Sequence, residues 1–111
     1  MTFDEYQKQA LTTSHNSGVD PLLQTTIWAM GVAGESGEVI EKWKKIVAYQ
    51  NGQMSEQDLA ELGKELGDVV WYIAVLAHNL GLSFDDIMQR NLDKLADRKK
   101  RNVIAGQGDN R

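Results

Sequence analysis

Leu59, Leu62, Leu66, Val69, Ile73, Leu76 and Leu80 recur at steps of three and four residues, the spacing that lays apolar side chains along one stripe of an α-helix. Ser55 and Asp58 stand where a capping box opens such a helix, and Gly81 stands where one stops. The same reading predicts three more helices. Thr2 with Glu5 caps a first segment that carries Phe3, Tyr6, Ala10 and Leu11 on one side and ends near Ser14. His15 to Val19 reads as a loop, after which Asp20 as N-cap and Pro21 at the first helical position open a long helix to about Tyr49. Asn51-Gly52 breaks the chain. Ser83 and Asp86 cap a fourth helix with Phe84, Ile87, Met88, Leu92 and Leu95 on its apolar side, running to about Arg101. Residues 102–111 read as an irregular, partly mobile tail. No run alternates with the period of a strand. The pattern predicts one all-α domain over 1–111, a four-helix bundle completed by dimerisation.

Glycine placement refines that picture. Gly31, Gly34 and Gly37 lie inside the long helix, where each costs roughly 1 kcal/mol relative to alanine. They predict close approach of another segment, or a kink. On the third helix Gly63, Gly67, Ala74 and Ala77 form a small-residue face turned away from the polar strip described next, so this helix is expected to pack on two sides at the centre of the bundle.

Two couplets of acids carry the chemistry. Glu35-x-x-Glu38 and Glu65-x-x-Asp68 each place two carboxylates about 60° apart on a helix surface, so each couplet faces one way. Glu61, Glu65, Asp68 and Tyr72 run along the edge of the leucine stripe, whereas a merely solvated face would centre its charges opposite that stripe. Four carboxylates sharing one volume raise one another's pKa, and a divalent cation relieves the repulsion. The expectation is a Mg²⁺ site.

On the fourth helix Asn91, Lys94, Arg98 and Arg101 share a face, a cationic stripe suited to an anionic ligand. The plainer alternative is that Lys94 and Arg98 complement the helix dipole and pair with Asp93 and Asp97. Tyr72, four residues after Asp68, is placed to stack on a base. Trp28, Trp43 and Trp71 read as packing residues, and His15 and His78 share no ligand spacing. Gly106-x-Gly108 in the tail is a short phosphate-loop signal without a preceding strand.

Composition narrows the classes. A net charge of −4 and a pI near 5.1 argue against a nucleic-acid binder with a broad basic surface. No apolar run is long enough to span a bilayer, so no membrane partner is expected. Without cysteine there is neither a disulfide framework nor a thiolate zinc site, and the chain opens without a signal-peptide pattern, so a cytoplasmic location is the expectation.

Taken in order, Gly34-Glu35-Ser-Gly-Glu38-Val-Ile-Glu41-Lys, then Glu65-Leu-Gly-Asp68-Val-Val-Trp71-Tyr72, then Asn91-Leu-Asp-Lys94-Leu-Ala-Asp-Arg98 resemble the MazG-type nucleoside triphosphate pyrophosphohydrolases of the all-α NTP pyrophosphatase superfamily. The likeness covers about residues 3–111, with residues 39–64 as the spacer between couplets. It implies Mg²⁺ ligands at Glu35, Glu38, Glu65 and Asp68, phosphate-binding residues at Lys94 and Arg98 with Asn91 beside them, Tyr72 near the base, and a tail ending in Arg111 that closes over the ligand. The family's leading glutamate is Gly34 here, which leaves the couplet intact. The implied reaction cleaves a nucleoside or deoxynucleoside triphosphate between its α and β phosphates, with Glu38 or Glu41 as general base; the resemblance also implies a homodimer or homotetramer. Two other readings stand beside it: phosphoribosyl-ATP pyrophosphatase activity on the same acids, and a catalytically silent helical interaction module.

Overall fold

The computed structural model describes residues 1–15 and 18–111; part of the expected His15–Val19 loop lies outside the described residues. Four helices follow in order: α1 (Phe3–Leu11), α2 (Pro21–Gln50), α3 (Glu56–Asn79) and α4 (Phe84–Lys100). No strand occurs among the described residues. The chain is all-α.

Local chemistry sets the boundaries. The Thr2 hydroxyl accepts the Glu5 N–H, Asp20 accepts from Leu22 and Leu23 ahead of Pro21, Ser83 accepts from Asp86, and at Ser55 both halves of the capping box with Asp58 are made. Helix α1 stops three residues short of Ser14, because the hydroxyls of Thr12, Thr13 and Ser14 each bond a carbonyl three residues back and compete with continued helix. At the end of α2, Asn51 takes left-handed backbone at φ 54° and Gly52 donates to the Ile46 carbonyl. This turn sends α3 back along α2 as an antiparallel hairpin.

The core is small. Ala10, Trp28, Ala74, Val75 and Phe84 are buried together, with Tyr6, Leu11, Trp71, Tyr72, Ile73, Leu76 and Met88 packed around them. Buried Gln7 ties the layers: its amide donates to the carbonyls of Ala74 at 3.0 Å and Leu82 at 3.2 Å. Asp4 accepts from the Ser83 hydroxyl and the Asp85 N–H, fixing α1 against the start of α4. Helix α4 leaves the line of α3 at 105°, packing on α1 and the end of α3 without touching α2.

The leucine stripe of α3 is not the seam that closes this core. Leu59, Leu66 and Leu80 are more than half exposed, and the deepest positions are Ala74, Val75 and Ala77, one step further round the helix. Of the expected small-residue face, Ala74 and Ala77 are buried, while Gly63 and Gly67 face open space. Leu22, Met30, Ile40 and Val47 leave a second apolar surface uncovered on α2. The Cα radius of gyration is 17.1 Å; a compact chain of this length would have about 13 Å.

Candidate metal centre

Acids from α2 and α3 meet across the hairpin. Glu35, Glu65 and Asp68 each offer one carboxylate oxygen, and the three oxygens lie within 4.8 Å of one another. Among the described residues this is the one such group of acids, histidines or cysteines. Its donors are all carboxylate oxygens, the set that suits a small hard divalent cation, and ligands of Mg²⁺ stand about 4 Å or less apart, within a small rotamer adjustment of this spacing. The residues fit the ion.

The electrostatics agree. The Glu35 carboxyl is held above its ordinary value, first by loss of solvent on burial and then by the charges of Asp68, Glu65 and Glu38. Burial, with the charge of Asp68, also raises the Tyr6 phenol. Opposite charge comes from Lys42, whose ammonium lies 3.5 Å from Glu65 and 3.8 Å from Glu61. Sequence reasoning missed Lys42, although a signal was present: seven residues from Glu35 is two helical turns, which returns to the same face.

The other expected site residues divide. Glu38 stands outside the three-oxygen group and is exposed, and no ion pair or hydrogen bond engages its carboxylate among the described residues. Glu41 is held by Lys44 at 2.8 Å and Lys45 at 3.6 Å, and the Lys44 hydrogen bond leads the interactions that lower its pKa. Tyr72 is half-buried between Trp71, 4.9 Å away between ring centres, and Trp28, 6.0 Å away, with its ring laid over Gly31. Of the three α2 glycines only Gly31 marks a close approach; Gly34 and Gly37 face open space.

The basic stripe occupies a different part of the chain. Asn91 and Lys94, with Arg90, line an open cleft of about 520 Å³ floored by Leu82 and Ile87. Lys94 and Arg98 pair with neither Asp93 nor Asp97; both reach Asp109 in the tail, at 2.8 Å and 3.0 Å. Asp97 takes Arg101 and Asp93 takes Gln89. Only 5% of Arg98 is exposed. Arg111 turns inward and donates to the carbonyls of Val103, Ile104 and Gly108, so the tail is irregular but tied down. Sequence reasoning missed Asp109 as a partner, since nothing in helical spacing reports a contact made across a loop.

The chain is an all-α protein whose two long helices form a hairpin and gather three carboxylates between them, a donor set suited to a divalent cation. Residues 24–103 match the MazG nucleotide pyrophosphohydrolase domain, and the chain belongs to that family. It is 41% identical over 114 residues, spanning all of both chains, to the Gene 37 protein of Mycobacterium phage L5. No solved structure matches the chain.

Proposed function

We propose that this protein hydrolyses a nucleoside or deoxynucleoside triphosphate between the α and β phosphates, with Mg²⁺ held by Glu35, Glu65 and Asp68. The observation that carries the reading is the convergence of those three carboxylates inside a MazG domain. Bound Mg²⁺ would supply Lewis-acid polarisation of the phosphates and lower the pKa of coordinated water.

The chain's own groups account for the remaining requirements. Attack of a water oxygen on the α-phosphorus forms one P–O bond and breaks the bond to the bridging oxygen, releasing pyrophosphate and the monophosphate. The proton of that water needs an acceptor. Glu38 suits this better than Glu41, because Glu38 lies beside the cluster with an unengaged carboxylate, whereas Glu41 is committed to two lysines. Lys42 pairs with Glu65 and orients its carboxylate. Lys94 neutralises charge on the leaving pyrophosphate, with Asn91 beside it.

The stripe and the acids are brought together by assembly. Helix α4 does not pack on α2 within one chain, and an apolar groove of about 290 Å³ lined by Ala29, Val32, Ile73, Leu76, Leu80 and Ile87 lies between them. A second copy filling that groove would cover Leu80 and supply its own α4 stripe to the acids, giving a homodimer or a pair of dimers. A panel of triphosphates with Mg²⁺, including phosphoribosyl-ATP, tests the reaction through product identification. Pyrophosphate from at least one substrate supports it, and orthophosphate as first product refutes it.

A further inference from the structure

The end of α4 and the eleven residues after it form one closed loop. Asn102 takes left-handed backbone at φ 60° and Val103 donates to the Arg98 carbonyl at 2.9 Å, turning the chain out of the helix. The loop then closes around the Arg111 side chain, while the Arg111 carbonyl accepts from Arg101 at 2.7 Å. A Cβ at Gly106 would meet the Arg111 Cδ at 2.9 Å, so the loop fits its own terminus closely.

That closure delivers Asp109 to the stripe. One of its carboxylate oxygens receives both Lys94 Nζ at 2.8 Å and an Arg98 guanidinium nitrogen at 3.0 Å, and its backbone carbonyl receives Arg98 as well. The two cations stand differently toward solvent. Arg98 is buried under the loop, whereas the Lys94 side chain remains 38% exposed at the rim of the Arg90–Asn91 cleft. Arg98 therefore anchors the loop, and Lys94 alone of the pair is open to a ligand. An ammonium has three N–H donors. Asp109 uses one, leaving two directed by that contact, and the trio of Lys94, Arg98 and Asp109 keeps a net charge of +1 to attract an anion.

We propose that Asp109 is a positioning residue: the closed C-terminal loop, anchored by Arg98, uses the Asp109 carboxylate to hold the Lys94 ammonium in place for a substrate phosphate. The proposal rests on the nucleotide reading above for its ligand, but not for the contact itself. A lysine has many rotamers, and a fixed one loses less freedom on binding. The Asp109 pKa is lowered, by the Lys94 hydrogen bond most, which marks the contact as one that favours the charged carboxylate.

The test uses the intact protein with Asp109→Asn, Lys94→Gln and both together. Asp109→Asn is expected to raise KM for the triphosphate about tenfold with kcat nearly unchanged, the scale of one charge-assisted contact. In the Lys94→Gln background it should add no further rise. An equal rise in that background means a general structural role and overturns the proposal. A fall in KM means that Asp109 competes with the phosphate, which overturns it too. The second readout needs no activity: in ¹⁵N NMR of the lysine ammonium groups, the Lys94 signal should be resolved in the wild type and broadened in Asp109→Asn. An unchanged signal overturns the proposal. A broadened signal in a protein that releases no pyrophosphate supports the contact and refutes the hydrolase reading alone.

Discussion

Substituting Gly31 by alanine tests the packing that supports the acid cluster. Tyr72 lies across Gly31, and a Cβ there would overlap three atoms of its ring. The ring has little freedom to retreat, with Trp71 4.9 Å and Trp28 6.0 Å away. Overpacking of this kind costs about 1–3 kcal/mol. Replacing a helical glycine returns about 1 kcal/mol. The net is a loss of about 1 kcal/mol, or roughly 4 °C in Tm for a domain of this size. Gly34→Ala is the comparison, since Gly34 has the same helix-propensity gain with no neighbour within 4 Å in its own chain. Thermal melts by circular dichroism at matched concentration should place Gly31→Ala below the wild type and Gly34→Ala above it. Tryptophan fluorescence of Trp28 and Trp71 should shift only in the former. A Gly31→Ala protein melting at or above the wild type would refute the close approach of Tyr72 to α2.

Further expectations follow from the charges. The raised Glu35 pKa disfavours the metal-free fold above that pKa, and the penalty lifts as pH falls through it toward the unfolded value, so metal-free Glu35→Gln should melt higher than the wild type at neutral pH, with the gap closing in acid. Melts across a pH series check this, and a constant gap would contradict it. Asp4 and Asp58 have lowered pKa values, from the Asp85 and Ser55 backbone bonds first, so the stability they contribute is present above the ordinary carboxylate range and lost as pH falls through their folded values; Asp4→Asn and Asp58→Asn should flatten the acid limb of the stability curve. Added Mg²⁺ should raise the wild-type Tm with the logarithm of its concentration, while Glu65→Gln should blunt the response, both read by differential scanning fluorimetry. Light scattering at micromolar concentration should find an even-numbered oligomer, and Leu66→Glu, at a position 54% exposed in the single chain, should reduce its mass if that stripe is a subunit contact.

Sequence carried the helices and much of the acid centre, for physical reasons visible at particular residues. Caps at Thr2, Asp20, Ser55 and Ser83 mark helix starts because short oxygen-bearing side chains satisfy the first free N–H groups locally. Glu65 and Asp68 could be placed together because spacing alone fixes their angular separation on α3. What lies opposite a helix is not local. The stripe Leu59–Leu66–Leu80 announced an apolar face but not what covers it, and in the single chain each of the three leucines stays more than half exposed. Lys42 meets Glu65 across the α2–α3 hairpin, a contact that spacing within one helix does not report, and the Asp109 contact depends on a loop whose path follows from Asn102, Gly106 and Gly108 at positive φ. The three α2 glycines look alike in sequence, yet only Gly31 has an opposing side chain.

The most direct measurement is the identity of the first phosphate product. Purified protein, a nucleoside triphosphate labelled at its β and γ positions, and Mg²⁺ should yield labelled pyrophosphate and unlabelled monophosphate, with the reaction stopped by a chelator and abolished in the Glu35→Gln, Glu65→Gln double variant. Release of labelled orthophosphate with a diphosphate left behind, or undiminished turnover in the double variant, would contradict the account.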